Sequence, residues 1–225
     1  MIHRIVSFYG NDLPIIIPQS QKKVFNFFNI DLIQIPLLDY GSDRHSDAID
    51  QYLNKNKDWD FISIFDVDCI PTSKKCISLV LDNILDENTI YGNAQASNVF
   101  DSNIHKSPPF IGASFINFSR KVWEESNCKS FKFTLYPNPE GYIIEADVAE
   151  KFVRENEKQG RNIILKYPSK ILTNATWGFK GSFNYPEFEY GQATEFESHT
   201  FHNFIIRVPS AQLTFIDYCN NLINK

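Results

Sequence analysis

The sequence predicts an α/β fold in which a mixed, mostly parallel sheet carries helices on both faces. Three observations lead there. Apolar strand-like runs alternate with amphipathic segments along most of the chain, and FISIF (61–65) is almost continuously apolar, as in a strand buried on both faces. In addition, 225 residues with 43% hydrophobic content suffice for one sizeable core. No composition break, internal repeat or low-complexity tract marks a linker, so a single domain over 1–225 is expected.

HRIVSFYG (3–10) reads as a first strand stopped by Gly10, Gln21–Asn29 as a helix, and DLIQIP (31–36) as a short strand. DRHSDAIDQYLNKN (43–56) has the polar entry and the spaced Ala48, Ile49, Tyr52 and Leu53 of an amphipathic helix, and WDFISIF (59–65) follows as a strand. SKKCISLVLDNILDE (73–87) predicts a helix, TIYGNAQAS (89–97) and FIGASFINFS (110–119) two strands, and SRKVWEES (119–126) a short helix. The Pro- and aromatic-rich FKFTLYPNPEGY (131–142) reads as a loop. EADVAEKFVRENEKQG (145–160) places Val148, Ala149, Phe152 and Val153 on one helical face, carries acids in its first turn and stops at Gly160. NIILKYP (162–168) predicts a late strand, and NATWGFKGSFNYPEFEYGQATEFES (174–198), long and without a steady period, a lid or binding loop.

A net charge of -5 argues against a chain whose main task is gripping nucleic acid, which calls for a basic face. Cys69, Cys76, Cys128 and Cys219 have neither metal-site spacing nor the density of a disulfide framework, so reduced thiols in a cytosol-like compartment are expected. No long apolar segment follows the N-terminus and no run reaches membrane-spanning length. The expectation is a soluble, cytoplasmic protein without an integral membrane segment.

The chemistry concentrates in FDVDCIP (65–71). In a strand, residues two apart point the same way, so Asp66 and Asp68 are expected to project together from the sheet's carboxyl edge, where open α/β folds place ligands. Two carboxylates there form a hard, oxygen-rich site for Mg²⁺ or Mn²⁺, whose remaining positions go to water and substrate phosphates. The plain alternative is that the acids cap a turn before Pro71; Asp58-Trp59-Asp60 has the same spacing but precedes the strand. Asp66, Asp68 and Thr72 also resemble the first motif of haloacid-dehalogenase-type phosphatases, in which the first Asp is a nucleophile. That motif usually opens the fold and needs a later strand ending in paired acids, whereas Glu145 and Asp147 fall at the start of an expected helix.

The order of strands, FDVDCIP, YGNAQASN (91–98), FIGASFINFSRKVW (110–123), EADVAE (145–150) and the late FHNF (201–204) is together similar to small GT-A (Rossmann-like) glycosyltransferases over most of the chain. The resemblance implies a nucleotide-sugar donor, a UDP-sugar above all, with its diphosphate held by Mn²⁺ or Mg²⁺, and a carbohydrate or other hydroxyl acceptor. It implies that Asp68 binds the metal directly and that Asp66 touches the ribose or a metal-bound water. A third ligand is a histidine near the C-terminus; of His199 and His202, three apart and so on opposite sides of an extended segment, His202 is selected, with Arg207 beyond it able to pair with phosphate. An imidazole ligand tilts the preference towards Mn²⁺.

Asp147 and Glu145 are the candidate general bases at the head of the expected helix, and the resemblance selects Asp147, which matches the acidic position there in similar enzymes; helix capping or a hydrogen bond to the donor sugar are the alternatives, and inversion and retention both stay open. Phe8 or Tyr9, after Ser7, is expected to stack on the nucleotide base, and His45 and Asp47 to contact base or ribose, against core packing and helix capping. Asn93 and Gln95 are candidates for sugar recognition, Gly112 and Ala113 for close ligand approach, and Trp177, Phe179, Tyr185 and Tyr190 for covering donor or acceptor. Two other classes remain: the phosphatase, and a non-catalytic nucleotide-sugar or glycan-binding module.

Overall fold

The computed structural model describes residues 1–42, 44–84, 86–95, 109–137, 143–145, 147–173, 193–203 and 206–224. In chain order its elements are β1 (His3–Tyr9), α1 (Ile16–Phe27), β2 (Ile33–Pro36), a 3-10 turn (Leu37–Tyr40), α2 (His45–Lys55), β3 (Phe61–Asp66), β4 (Cys69–Pro71) and α3 (Lys75–Ile84). There follow β5 (Thr89–Gln95), β6 (Phe110–Ser119), α4 (Arg120–Glu125), β7 (Leu135–Pro137), β8 (Ile143–Glu145), α5 (Glu150–Lys158), β9 (Asn162–Lys166), β10 (Pro168–Ile171), β11 (Ala193–Phe196), β12 (Thr200–Asn203) and α6 (Pro209–Ile223).

The main sheet runs β2-β1-β3-β6-β5-β9 and is parallel except for β6, which opposes both its neighbours. The expected mixed, mostly parallel sheet is therefore present. Its strands are apolar on both sides because both faces are covered. One face packs Val6, Ile62, Ile64, Ile116 and Phe118 against Ile49 and Leu53 of α2, Trp123 of α4 and Phe152 of α5. The other packs Ile5, Phe65, Tyr91 and Phe115 against Val24 and Phe25 of α1, Cys76 and Val80 of α3, and Phe215 of α6. Full burial of a side chain such as Phe65 or Ile62 stabilises by about 1.5–3 kcal/mol, so the two layers fix which strand ends share an edge. At that edge lie the carboxyl ends of β1, β3 and β5 and the start of β6.

Several boundaries depart from the sequence reading. α1 begins at Ile16 rather than Gln21: Pro14 and Pro18 suggest a break, but Pro18 sits in the first turn, where its missing N–H would have no intrahelical partner. α5 begins at Glu150 rather than Glu145, because Ala149 is left-handed (φ 71°) and 143–145 belong to β8. β8 pairs with β7, which lies inside the stretch expected to be a loop. The late strand divides into β9 and β10, and β10, β11, β12 and β4 form a second, antiparallel sheet that the sequence reading lacks. Of the long loop, 174–192 lie outside the described residues and β11 occupies its end. α6 was also missed, although Pro209 in its first turn and Ala211, Phe215 and Cys219 at a spacing of four mark a buried helical face. All four cysteines are buried and free, and among the described residues no helix is long and apolar enough to cross a membrane.

Candidate metal centre

The apolar run of β3 ends at Asp66, which is in register with Phe8 at the end of β1. Val67 and Asp68 then make a two-residue turn into β4. Asp68 is thus not a strand residue two positions along, as expected; the turn, rather than pleat alternation, brings its carboxylate beside that of Asp66. β4 pairs antiparallel with β12 so that Cys69 lies opposite His202, and the Asn203 N–H donates to the Asp68 carbonyl at 3.2 Å. The second sheet therefore delivers the histidine to the acids.

His202 Nε2 is 3.2 Å from Asp68 Oδ1 and 3.7 Å from Asp66 Oδ2. One ligand atom from each of the three residues lies within 4.8 Å of the others, close enough to share one ion. On the other side of Asp66, His45 Nε2 approaches Oδ1 at 3.5 Å. Asp68 and His202 are both 5% exposed, whereas about a quarter of the Asp66 side chain (26%) meets solvent. Burial pushes the Asp66 carboxyl above its ordinary pKa, the imidazoles of His45 and His202 pull it back, and Asp68 adds to the rise. For His202 burial acts downwards, but the carboxylates of Asp68 and Asp66 overcome it and hold the imidazole above its usual value. Two carboxylates and an imidazole are a donor set that fits a divalent cation, and the nitrogen favours Mn²⁺ over Mg²⁺.

The cluster opens on a cleft of about 280 Å³, which Phe8, Tyr9, His45, Gln95, Ala113, Asp147 and Arg207 also line. The remaining expectations separate here. Phe8 is 1% exposed, its ring edge-on to His45 and Tyr52 at 5.9 and 5.6 Å; it is core, so only Tyr9 of that pair is free to meet a planar ligand. Asp47 lies away from the cleft and pairs with Lys132 at 2.9 Å, and it does not cap α2. Asn93 is fully buried: its Nδ2 donates to Thr200 Oγ1 at 2.9 Å and its Oδ1 accepts from Ser198 Oγ at 2.6 Å. It ties β5 to the β11–β12 turn rather than reaching a sugar.

Gly112 does permit close approach, but by the protein: a Cβ there would stand 2.0 Å from Gln95 Oε1. Gln95 lies across it and donates through Nε2 to Asp147 Oδ2, while the Val148 N–H donates to Asp147 Oδ1 at 2.7 Å. Asp147 precedes α5 instead of opening it, and the acid of the first turn is Glu150, so the helix-dipole argument for Asp147 falls away. His199 is a left-handed turn residue (φ 55°) between β11 and β12 and is not part of the cleft wall. Arg207 is exposed and pairs with Asp12 at 2.8 Å along the cleft wall. Asp12 was missed; Gly10-Asn11-Asp12 signals a turn, and nothing local says that it borders a site. Trp177, Phe179, Tyr185 and Tyr190 lie outside the described residues.

No protein-family model matches the chain, and no curated protein matches it either. Solved structures similar to it include a Drosophila β1,4-galactosyltransferase 7 variant in complex with manganese, UDP-Gal and xylobiose, at TM-score 0.42 and 12% identity, covering 76% of this chain and 67% of that one. HddC from Yersinia pseudotuberculosis gives TM-score 0.35 and 12% identity over 71% of this chain and 100% of its own. A197 from STIV gives TM-score 0.36 and 10% identity over 63% and 93%. At scores this low the likenesses assign neither family nor activity, and the chemistry of the cleft rests on Asp66, Asp68 and His202.

Proposed function

We propose that residues 1–225 form a GT-A-type, divalent-metal-dependent glycosyltransferase that moves a sugar from a nucleoside-diphosphate donor, a UDP-sugar by preference, to a hydroxyl of a carbohydrate acceptor. The observation that carries this reading is the convergence of Asp66, Asp68 and His202 at the carboxyl edge of the main sheet, facing an open cleft.

Asp68 and His202 are the ligands that would hold the cation, with Asp66 beside them. When bound, the cation neutralises charge developing on the leaving diphosphate, stabilising the transition state more than the ground state. Tyr9 offers a half-buried ring to the nucleotide base. Asp147, oriented by Gln95 and the Val148 N–H, lines the same cleft and is placed to accept the proton of the acceptor hydroxyl. The phosphatase alternative calls for paired acids at the end of a later parallel strand, whereas β5 and β9 end in Gln95 and Lys166.

The test is calorimetric binding of a nucleotide-sugar panel with and without Mn²⁺, with slow donor hydrolysis followed in parallel, on the parent chain and Asp68→Ala. Removing a direct ligand is expected to weaken Mn²⁺-dependent donor binding by at least about 100-fold, since even residues that merely orient ligands cost 10- to 100-fold. Unchanged binding and turnover in Asp68→Ala would overturn the assignment. A phosphoenzyme trapped on Asp66 would replace it with the phosphatase, and tight donor binding with neither transfer nor hydrolysis would replace it with a binding module.

A further inference from the structure

Gln21 projects from the inner face of α1 and is fully buried. Its carboxamide nitrogen carries two hydrogens, and both go to backbone carbonyls that bracket the acidic turn: Nε2 donates to the Asp66 carbonyl at 2.8 Å and to the Cys69 carbonyl at 2.9 Å. Both carbonyls lie at the margins of their sheets. The β3–β6 ladder ends at Phe65 opposite Phe115, and β4 is the edge strand of the second sheet. The orientation of the amide is itself fixed. Gln34 Nε2 donates to Gln21 Oε1 at 3.0 Å and to the Pro18 carbonyl at 2.7 Å, so the acceptor end of Gln21 is engaged and its donor end faces the turn. From the opposite side, the Asn203 N–H holds the carbonyl of Asp68.

We infer that Gln21, oriented by Gln34, is a positioning residue of the metal centre: it pins Asp66 and Cys69 so that the two carboxylates meet His202 as one preformed cation site. The inference rests on the metal reading of the cluster. A polar side chain among Ile17, Val24 and Phe25 is costly to bury unless its groups are paired, and its donors are spent on the two carbonyls that flank Val67 and Asp68. Without them the turn gains backbone freedom, and a cation must order it on binding.

Mn²⁺ affinity of the whole chain is to be measured by electron paramagnetic resonance for the parent, Gln21→Met, Gln34→Met and Asn156→Ala, a buried polar change on α5. Thermal denaturation and ¹⁵N relaxation of the Val67 and Asp68 amides without metal accompany it. Gln21→Met keeps the side-chain length and removes the donors; it is expected to weaken Mn²⁺ binding about 10- to 100-fold and to broaden the Val67 and Asp68 resonances. Gln34→Met is expected to move both readouts the same way by less, and Asn156→Ala to lower Tm with Mn²⁺ affinity unchanged. A folded Gln21→Met whose affinity stays within about twofold of the parent overturns the inference, as does a loss of affinity that Asn156→Ala reproduces. A parent that binds no Mn²⁺ overturns the metal reading instead; the clamp is then judged on the amides, and unchanged relaxation at Val67 and Asp68 overturns it. Should Gln21→Met fail to fold, Gln34→Met carries the same test.

Discussion

Asp50 and Asp68 are both buried acids, 8% and 5% exposed, yet their surroundings differ in kind. The Asp50 carboxylate, on α2, accepts from the Phe131 N–H at 2.7 Å and from Ser130 Oγ at 2.8 Å, one donor to each oxygen. Asp68 faces an imidazole at 3.2 Å and a second carboxylate nearby, and among the described residues no backbone N–H or hydroxyl donates to its side chain. The first arrangement is complete as it stands and pins 130–131 to α2. The second brings like charges together and gains fully only when positive charge arrives. A buried acid whose two oxygens each take a fixed donor is complete as structure, whereas two acids converging on one imidazole at a cleft are the arrangement on which the proposed metal reading rests.

The largest expected effect that sharpens this contrast is a reversal of pH dependence by metal. In the metal-free chain His202 titrates above 6.5, so its protonated form stabilises the fold below that pH, and the contribution fades as pH rises through the raised value. Asp66, raised above 3.8, acts with the same sign at lower pH. His3, at the far end of β1 and bonded to Ser63 at 2.9 Å, opposes them: burial lowers it to about 4, so stability present above 6.5 is lost as pH falls towards 4. Metal-free stability is therefore expected to fall as pH rises above neutrality. On the proposed ligand set Mn²⁺ binds neutral His202 and ionised acids, so a fixed concentration about 100 times the Kd at neutral pH adds about 2.7 kcal/mol there and more as pH rises. Thermal denaturation across neutrality with and without Mn²⁺ measures both slopes; a Mn²⁺ effect independent of pH removes His202 from the ligand set.

Next in size, Asp50→Ala leaves the Phe131 N–H buried without its acceptor and is expected to cost about 1–3 kcal/mol in urea denaturation, with Mn²⁺ affinity unchanged. Asp68→Ala is expected instead to lose Mn²⁺, with metal-free stability lowered only where His202 is protonated, because the carboxylate that holds its proton is gone. Were Asp50→Ala to weaken Mn²⁺ as well, the distinction between the two acids would dissolve. The smallest effect is that of Gly112→Ala. The added methyl meets the Gln95 carboxamide at 2.0 Å and the Gln95 Cβ at 3.0 Å, pushing the side chain off its rotamer at a cost of about 0.5–1.5 kcal/mol and removing the Gln95 donor from Asp147 while the Val148 N–H stays. Donor binding is expected to survive and turnover to drop; intact turnover would take Asp147 out of the reaction.

What the sequence made legible follows physical range. Alternating strands and helices, and an acidic pair at the end of β3, are written in local patterns of a few residues. α5 keeps its apolar face in the sequence, but its first turn does not, because the left-handed Ala149 that delays it depends on packing. The second sheet is built from strands of three and four residues, too short for any periodicity to register, and β4 finds its partner β12 far along the chain. The same distance hides why Asn93 belongs to Ser198 and Thr200 rather than to a ligand. Gln21 reads locally as an ordinary helix residue; its meaning lies in two carbonyls on another element. His202 was found through a resemblance, because a lone histidine near a C-terminus has no local signature.

The pairing of Cys69 with His202 also bears on when the protein becomes competent during synthesis. Asp66 and Asp68 leave the ribosome well before the imidazole proposed to complete their set, so until His202 emerges a nascent chain offers an ion the carboxylates alone. Contacts of such high sequence separation form late in folding, and a tight cation would therefore act less as a nucleus than as a seal on a finished molecule.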